Sequence, residues 1–193
     1  MTRIIGGTAG GRRLETPRGQ STRPTSDRVR EALFSAIEAR TGSLDGLRFL
    51  DLYAGSGAVG LEARSRGAGV VTMVEQDRRT AALITRNAGA LGFSRARVVA
   101  APVSTVLQSP PAAPYDLVFS DPPYPTPDED VDGDLLALVA QGWLVPGALV
   151  VVERAAKRSR VTWPEGIVED RTKRYGETML WYGHATPAAS PES

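Results

Sequence analysis

The chain has 193 residues, no cysteine, a single histidine, and 23 basic against 22 acidic side chains, a formal net charge of +1. That length suits one domain with a small appendage, large enough to bury a core without disulfides or a structural metal. The missing thiols exclude zinc ribbons, cysteine nucleophiles and disulfide scaffolds, and the lone His184 argues against a catalytic triad or a histidine metal site. No N-terminal apolar segment reads as a signal peptide, and the longest apolar run, residues 135–140, is too short to span a bilayer. A cytoplasmic setting with no membrane partner is expected.

The near-zero total conceals a split. Residues 1–40 hold eight arginines against four acids, residues 41–150 hold eight basic and twelve acidic groups, and residues 151–193 hold seven and six. Only Lys157 and Lys173 are lysines. A GC-rich genome explains the preference for arginine, but not why the positive excess sits in the first forty residues.

In chain order, residues 4–14 read as short strands with glycine-rich turns. A helix follows, capped by Thr25, Ser26 or Asp27, with Val29, Leu33 and Ile37 forming an apolar stripe at i, i+4, i+8. Arg28, Arg30 and Glu31 lie off that stripe and are expected to face solvent or a ligand. This basic appendage (residues 1–40) is a candidate nucleic-acid contact through Arg12, Arg13, Arg23, Arg28 and Arg30. From about residue 45 strands and helices alternate: strand 48–53, helix 56–66, strand 70–75, helix 77–91, strand 97–101, short helix 103–108, strand 115–120, helix 131–141, strand 148–153. Such alternation calls for an α/β fold, a parallel sheet with helices on both faces. Residues 167–174 and 177–182, around Tyr175-Gly176, read as a closing antiparallel hairpin. The main domain is thus expected over 41–183, and residues 184–193 (HATPAASPES) as a disordered tail.

Gly55-Ser56-Gly57-Ala58-Val59-Gly60 is a G-x-G-x-x-G between a strand and a helix, and Glu75 ends the next strand twenty residues past Gly55. In this arrangement glycines let the backbone approach a cofactor and the acid accepts hydrogen bonds from ribose hydroxyls. The motif alone does not separate NAD from S-adenosylmethionine. Asp51 does so by charge: four residues before Gly55, its carboxylate would repel a pyrophosphate but suits a sulfonium and an α-ammonium group. Ala54 and Ser56 complete the candidate loop.

Asp121-Pro122-Pro123-Tyr124 follows the fourth strand, on the carboxyl edge where open α/β sheets bind ligands. Two prolines remove two backbone donors and stiffen a turn that presents carbonyl oxygens. With the Asp121 carboxylate and the flat face of Tyr124, the set suits an exocyclic amino group on a planar base. Two acceptors holding its N–H bonds would favour a pyramidal nitrogen and aim its lone pair at an electrophilic methyl. Asp121, Pro122 and Tyr124 are the candidate catalytic residues, with Asp121 also at the cofactor. No metal site is read.

With these motifs the chain resembles class I, Rossmann-like S-adenosylmethionine-dependent methyltransferases of exocyclic amines. More narrowly, it resembles the bacterial small-subunit (16S) ribosomal RNA guanine-N2 methyltransferases of the RsmD type. The narrower likeness rests on Arg3-Ile4-Ile5-Gly6-Gly7, Arg12 to Leu14, and Arg23-Pro24-Thr25-x-Asp27-Arg28-Val29-Arg30-Glu31-Ala32-Leu33-Phe34. The resemblance implies a seven-stranded, mostly parallel sheet and methyl transfer to N2 of one guanine in 16S rRNA, with S-adenosylhomocysteine as product. It also implies action on assembled or assembling small subunits; the chain itself reads as a monomer. Asp51, Gly55, Gly57 and Glu75 would bind the cofactor, Asp121 and the Pro122 carbonyl the amine, and Tyr124 the base. Ala100-Ala101-Pro102-Val103 departs from the family in offering no polar side chain to the adenine. Methylation of adenine N6 or of a protein glutamine fits the same turn; an NAD-dependent oxidoreductase is disfavoured by Asp51.

Overall fold

The computed structural model describes residues 2–19, 25–157 and 159–187, and the chain divides after Val103 into two compact units. In the first, β1 (Thr2–Arg3) pairs antiparallel with β2 (Arg13–Leu14) around a 3-10 turn at Gly7–Ala9. Helix α1 (Asp27–Thr41) starts where Ser26 Oγ accepts the Val29 N–H at 3.3 Å, satisfying an otherwise orphaned donor. It stops at Gly42, whose φ of 75° takes the chain out of the helix. The expected stripe of Val29, Leu33 and Ile37 is buried.

The alternation continues through β3 (Arg48–Leu52), α2 (Ala58–Ser65), β4 (Val70–Val74), α3 (Arg78–Ala90) and β5 (Ala96–Val99). β3 lies parallel to β4, with Asp51 opposite Met73, and β4 lies parallel to β5. Phe49, Leu50, Leu52, Val71, Met73 and Val74 are all fully buried, as near-continuous apolar strands require. Phe34 of α1 stacks on Phe49 of β3 with ring centroids 6.1 Å apart. Burial of each such side chain contributes ~1.5–3 kcal/mol. Helix α2 begins two residues later than the sequence suggests because Gly57 is left-handed, with φ 80° and ψ 10°.

The short α4 (Val103–Val106) leads into the second unit: β6 (Tyr115–Ser120), α5 (Asp128–Ala140), β7 (Leu144–Ala155), β8 (Ile167–Tyr175) and β9 (Thr178–Ala185). β6 and β7 are parallel, while β7 pairs antiparallel with β9 and β9 with β8. Gly176, at φ 60°, opens the two-residue hairpin turn between β8 and β9. The seven strands follow the order β5-β4-β3-β6-β7-β9-β8, a mostly parallel α/β sheet with a C-terminal antiparallel hairpin.

Three boundaries differ from the sequence reading. α5 starts at Asp128 rather than residue 131, because Pro127 serves as its N-cap and Asp128, Glu129 and Asp130 suit the positive end of the helix. β7 extends back to Leu144 through an irregularity opposite Tyr115–Leu117, where Pro146 and Gly147 interrupt an otherwise continuous strand. At the other end, the tail does not begin at His184. His184 pairs with Leu149 and Val168 inside the sheet, and its Nδ1 lies 2.6 Å from Asp170 Oδ1. The remainder of that segment, residues 188–193, lies outside the described residues. Among the described residues no helix is long and apolar enough to cross a membrane.

Candidate active site

β3 delivers Asp51 to the foot of the glycine loop. Its side chain is buried, and Oδ2 accepts the Gly60 N–H from α2 at 2.9 Å. Burial pushes its pKa up to about 7; the Gly60 N–H opposes that rise and the charge of Glu75 adds to it. Between strand and loop, Tyr53 holds a φ of 59°, a conformation that costs a non-glycine residue ~1–3 kcal/mol. The loop then folds on itself, the Ala54 N–H donating to Val74 O and the Gly57 N–H to Ala54 O. Ser56 is half-buried between the two glycines.

The three glycines have separate reasons. Gly55 and Gly57 need positive φ, at 57° and 80°. Gly60 lies inside α2, where a Cβ would come within 2.5 Å of Met73 Cγ and 3.1 Å of Asp51 Oδ2. A side chain there would push α2 off β4. Glu75, just past β4, does more than the motif foretold: Oε2 accepts the Gly55 N–H at 2.9 Å and Oε1 the Asp77 N–H at 3.0 Å. A carboxylate has about four lone-pair sites, so Glu75 fixes the loop and still has capacity for hydroxyl donors.

In the second unit, Asp121-Pro122-Pro123-Tyr124 leaves the carboxyl end of β6. Asp121 is half-buried, Pro122 is buried, and the Tyr124 ring is 81% exposed. The Thr126 N–H closes the turn onto Pro123 O at 2.9 Å. Arg154 of β7 secures it from beneath: Nη2 donates to Thr126 O and to Asp128 Oδ1, each at 2.8 Å. Arg154 is only 6% exposed, and it holds the Asp128 carboxyl below the usual range, with the Arg160 N–H assisting. A rigid turn therefore carries a large aromatic face into solvent.

The basic appendage answers its expectation unevenly. Arg13 and Arg28 are exposed, and Arg12, also exposed, donates through Nη2 to Ala90 O at the end of α3. Arg23 lies outside the described residues. Arg30 is a correction: it is fully buried and faces no solvent. Its Nη2 donates to Arg3 O and to Asp27 Oδ1, and its Nε lies 3.7 Å from Glu62 Oε2. Glu62 of α2, itself fully buried, also accepts the Ile5 and Gly6 N–H groups at 2.8 Å and Arg66 Nε at 2.9 Å. Arg30 thus fastens the appendage instead of offering a surface charge.

Comparison with known proteins places these features in context. The model of the family described as conserved hypothetical protein 95 matches residues 2–184. The chain belongs to this family. The ribosomal RNA small subunit methyltransferase D of Escherichia coli K12 is 37% identical over 175 residues, covering 91% of this chain and 85% of the relative. Its Haemophilus influenzae counterpart is 34% identical over 164 residues, covering 83% and 82%. The solved yhhF structure from Escherichia coli superposes with a TM-score of 0.85 at 33% identity, over 96% of this chain and 98% of that one. The family match takes in the glycine loop, both of its acids and the Asp-Pro-Pro-Tyr turn.

Two residues of consequence to this fold escaped sequence reasoning. Arg154 stands beside Glu153 at a strand end, with no spacing to mark it as the support of a turn 26 residues away. Glu62 sits in a helix whose charged residues look like a solvated face. Only the partners brought by tertiary structure reveal either role.

Proposed function

We infer that this chain transfers a methyl group from S-adenosylmethionine to the exocyclic N2 amine of a guanine in 16S rRNA. It acts as a cytoplasmic monomer on the assembled or assembling small subunit. The observation that carries the reading is the Asp-Pro-Pro-Tyr turn: acceptors on a stiff backbone beside an aromatic ring held out to solvent. Kinship to ribosomal RNA small subunit methyltransferases D supports RNA over a protein glutamine as the substrate.

The residues present fit the cofactor. Residues 51–60 carry no cationic side chain to meet a pyrophosphate, and the acid at their start is a buried carboxyl with no cationic partner among the described residues. When bound, S-adenosylmethionine supplies an electrophilic methyl on a sulfonium and leaves as S-adenosylhomocysteine. Asp51 would meet its positive end, while Ala54, Gly55, Ser56 and Gly57 let the backbone come close. The start of α2 would face its carboxylate, and Glu75 its ribose hydroxyls. Asp121 and the Pro122 carbonyl would each accept one N–H of the guanine amine, drawing the nitrogen toward a pyramidal shape and its lone pair toward the methyl. Tyr124 would stack on the base, an interaction worth ~1–3 kcal/mol. The guanine must leave its own stack to reach this turn, at a cost of a few kcal/mol.

Asp51 gives cofactor binding a pH dependence. A cation stabilises the ionised carboxylate, so binding lowers its pKa and releases protons near pH 7. Affinity for S-adenosylmethionine is therefore expected to rise from pH 5.5 to pH 8. Calorimetry in buffers of different ionisation enthalpy should detect the released protons, and Asp51→Asn should abolish both effects. The unliganded fold has the opposite trend. With Asp51 raised from 3.8 to about 7, the folded state binds more protons than the unfolded one between those values, so this group costs stability as pH rises through them. Binding of NAD and not of S-adenosylmethionine would overturn the cofactor reading.

The support beneath the turn is testable in the same assay. Arg154→Met is expected to lower kcat by roughly 10²-fold through misplacement of residues 121–128, with cofactor affinity unchanged. Arg154→Lys should recover part of the loss. An unaltered kcat in the Met variant would show that the turn holds its shape without Arg154.

A further inference from the structure

Segment 13–18 is laid along α3 by specific bonds. Asn87, almost fully buried, accepts the Glu15 N–H through Oδ1 and donates to Glu15 O through Nδ2, each at 3.0 Å. The Arg12 bond to Ala90 O fixes the same segment at the end of the helix. Between the two runs a groove. A cavity of about 860 Å³ lined by Arg13 and Glu15 shares Arg18, Leu83 and Arg86 with one of about 400 Å³ lined by Arg79 and Asp77. Arg79, Leu83 and Arg86 recur at i, i+4, i+7, so they form one row along the face of α3 next to its buried side.

Four guanidinium groups thus face two carboxylates. Both acids are engaged: Glu15 lies 3.5 Å from Arg86, and Asp77 caps α3 by accepting the Thr80 N–H at 2.7 Å. The Glu15–Arg86 pair is exposed on both sides, and such pairs are worth little and yield easily to another anion. Leu83 and Pro17 add an apolar floor of the kind a sugar face can rest on. The smaller cavity adjoins the proposed ribose acid, because Asp77 in its lining donates its N–H to Glu75 Oε1.

We propose that this groove binds the sugar-phosphate backbone of the RNA substrate, with Arg18, Arg79 and Arg86 contacting phosphates and directing the strand toward the end of β4. The inference rests on the rRNA methyltransferase reading and extends the RNA surface from the appendage onto α3. Sequence reasoning missed Arg79 and Arg86 because α3 lies in the acidic stretch, where its arginines vanish into a negative total; Arg18 was counted in the basic appendage without being singled out.

The test is a salt titration of binding to small ribosomal subunits purified from cells lacking this protein. The wild-type chain should bind with a steep salt dependence and form methylated guanosine in the same preparation. Arg18→Ala/Arg79→Ala removes two exposed side chains and should reduce the slope of log affinity against log salt by about 2, weakening binding roughly tenfold at low salt. Affinity for S-adenosylmethionine should stay within a few-fold, and Arg18→Lys/Arg79→Lys should restore most of the slope. A double-alanine variant with wild-type slope and affinity would overturn the groove while leaving the methyltransferase reading intact. A wild-type chain that neither binds nor methylates subunits would overturn both.

Discussion

Asp121→Ala is expected to abolish methyl transfer, lowering kcat by about 10²-fold or more, while the dissociation constant for S-adenosylmethionine stays within a few-fold. The guanine amine is a poor nucleophile because its lone pair is delocalised into the ring. The carboxylate at the end of β6 is the acceptor proposed to draw that nitrogen out of conjugation, and the Pro122 carbonyl cannot hold both N–H bonds alone. The turn should survive the substitution. Two of its supports, the Thr126 N–H to Pro123 O bond and the Arg154 bond to Thr126 O, do not use the Asp121 side chain and remain in the variant. Asp121→Asn keeps one carbonyl acceptor and should retain measurable turnover, between the wild type and the alanine variant. Single-turnover kinetics with saturating cofactor would read this directly, and full turnover in the alanine variant would remove Asp121 from the chemistry.

The second large effect is on stability. Glu62→Ala is expected to cost about 3–5 kcal/mol, because it leaves the buried Arg30 and the largely buried Arg66 without their shared counter-charge. It also deprives the Ile5 and Gly6 N–H groups of their acceptor. For a chain of this size the loss corresponds to a fall in Tm of roughly 10 °C. Arg30→Ala should act in the same direction, and the double variant should cost less than the sum of the two, since the charges compensate one another. An unchanged Tm in Glu62→Ala would show that the clamp between α2 and the N-terminal segment carries no load. The clamp also explains why the appendage is arginine-rich without every arginine serving RNA. Arg30 holds the segment in place, leaving Arg13 and Arg28 on its surface.

How far the residues disclosed this arrangement depends on the range over which the causes act. Strand and helix order was legible because local signals carry it. Apolar strands, the Ser26 cap and the hairpin glycine all impose structure within a few residues, whereas the left-handed Gly57 moved the start of α2 past the expected residue 56. The glycine loop was legible in kind, down to the acid twenty residues on. That Glu75 binds the loop it serves was not, since G-x-G-x-x-G describes a ligand's needs and is silent on what rigidifies the loop. Arg30 was misread for a related reason. A helical wheel assigns an off-stripe arginine to solvent, and the buried acid that contradicts this lies 32 residues further along, on another helix. His184 failed through composition: a small polar stretch conceals a strand end when its pairing partners are Leu149 and Val168.

The central claim is tested most directly by nucleoside mass spectrometry of 16S rRNA from small ribosomal subunits incubated with this protein and S-adenosylmethionine. N2-methylguanosine should appear with the wild-type chain and be missing with Asp121→Ala. Methylation of another nucleoside, or no gain of N2-methylguanosine from subunits that lack it at the outset, would contradict the account.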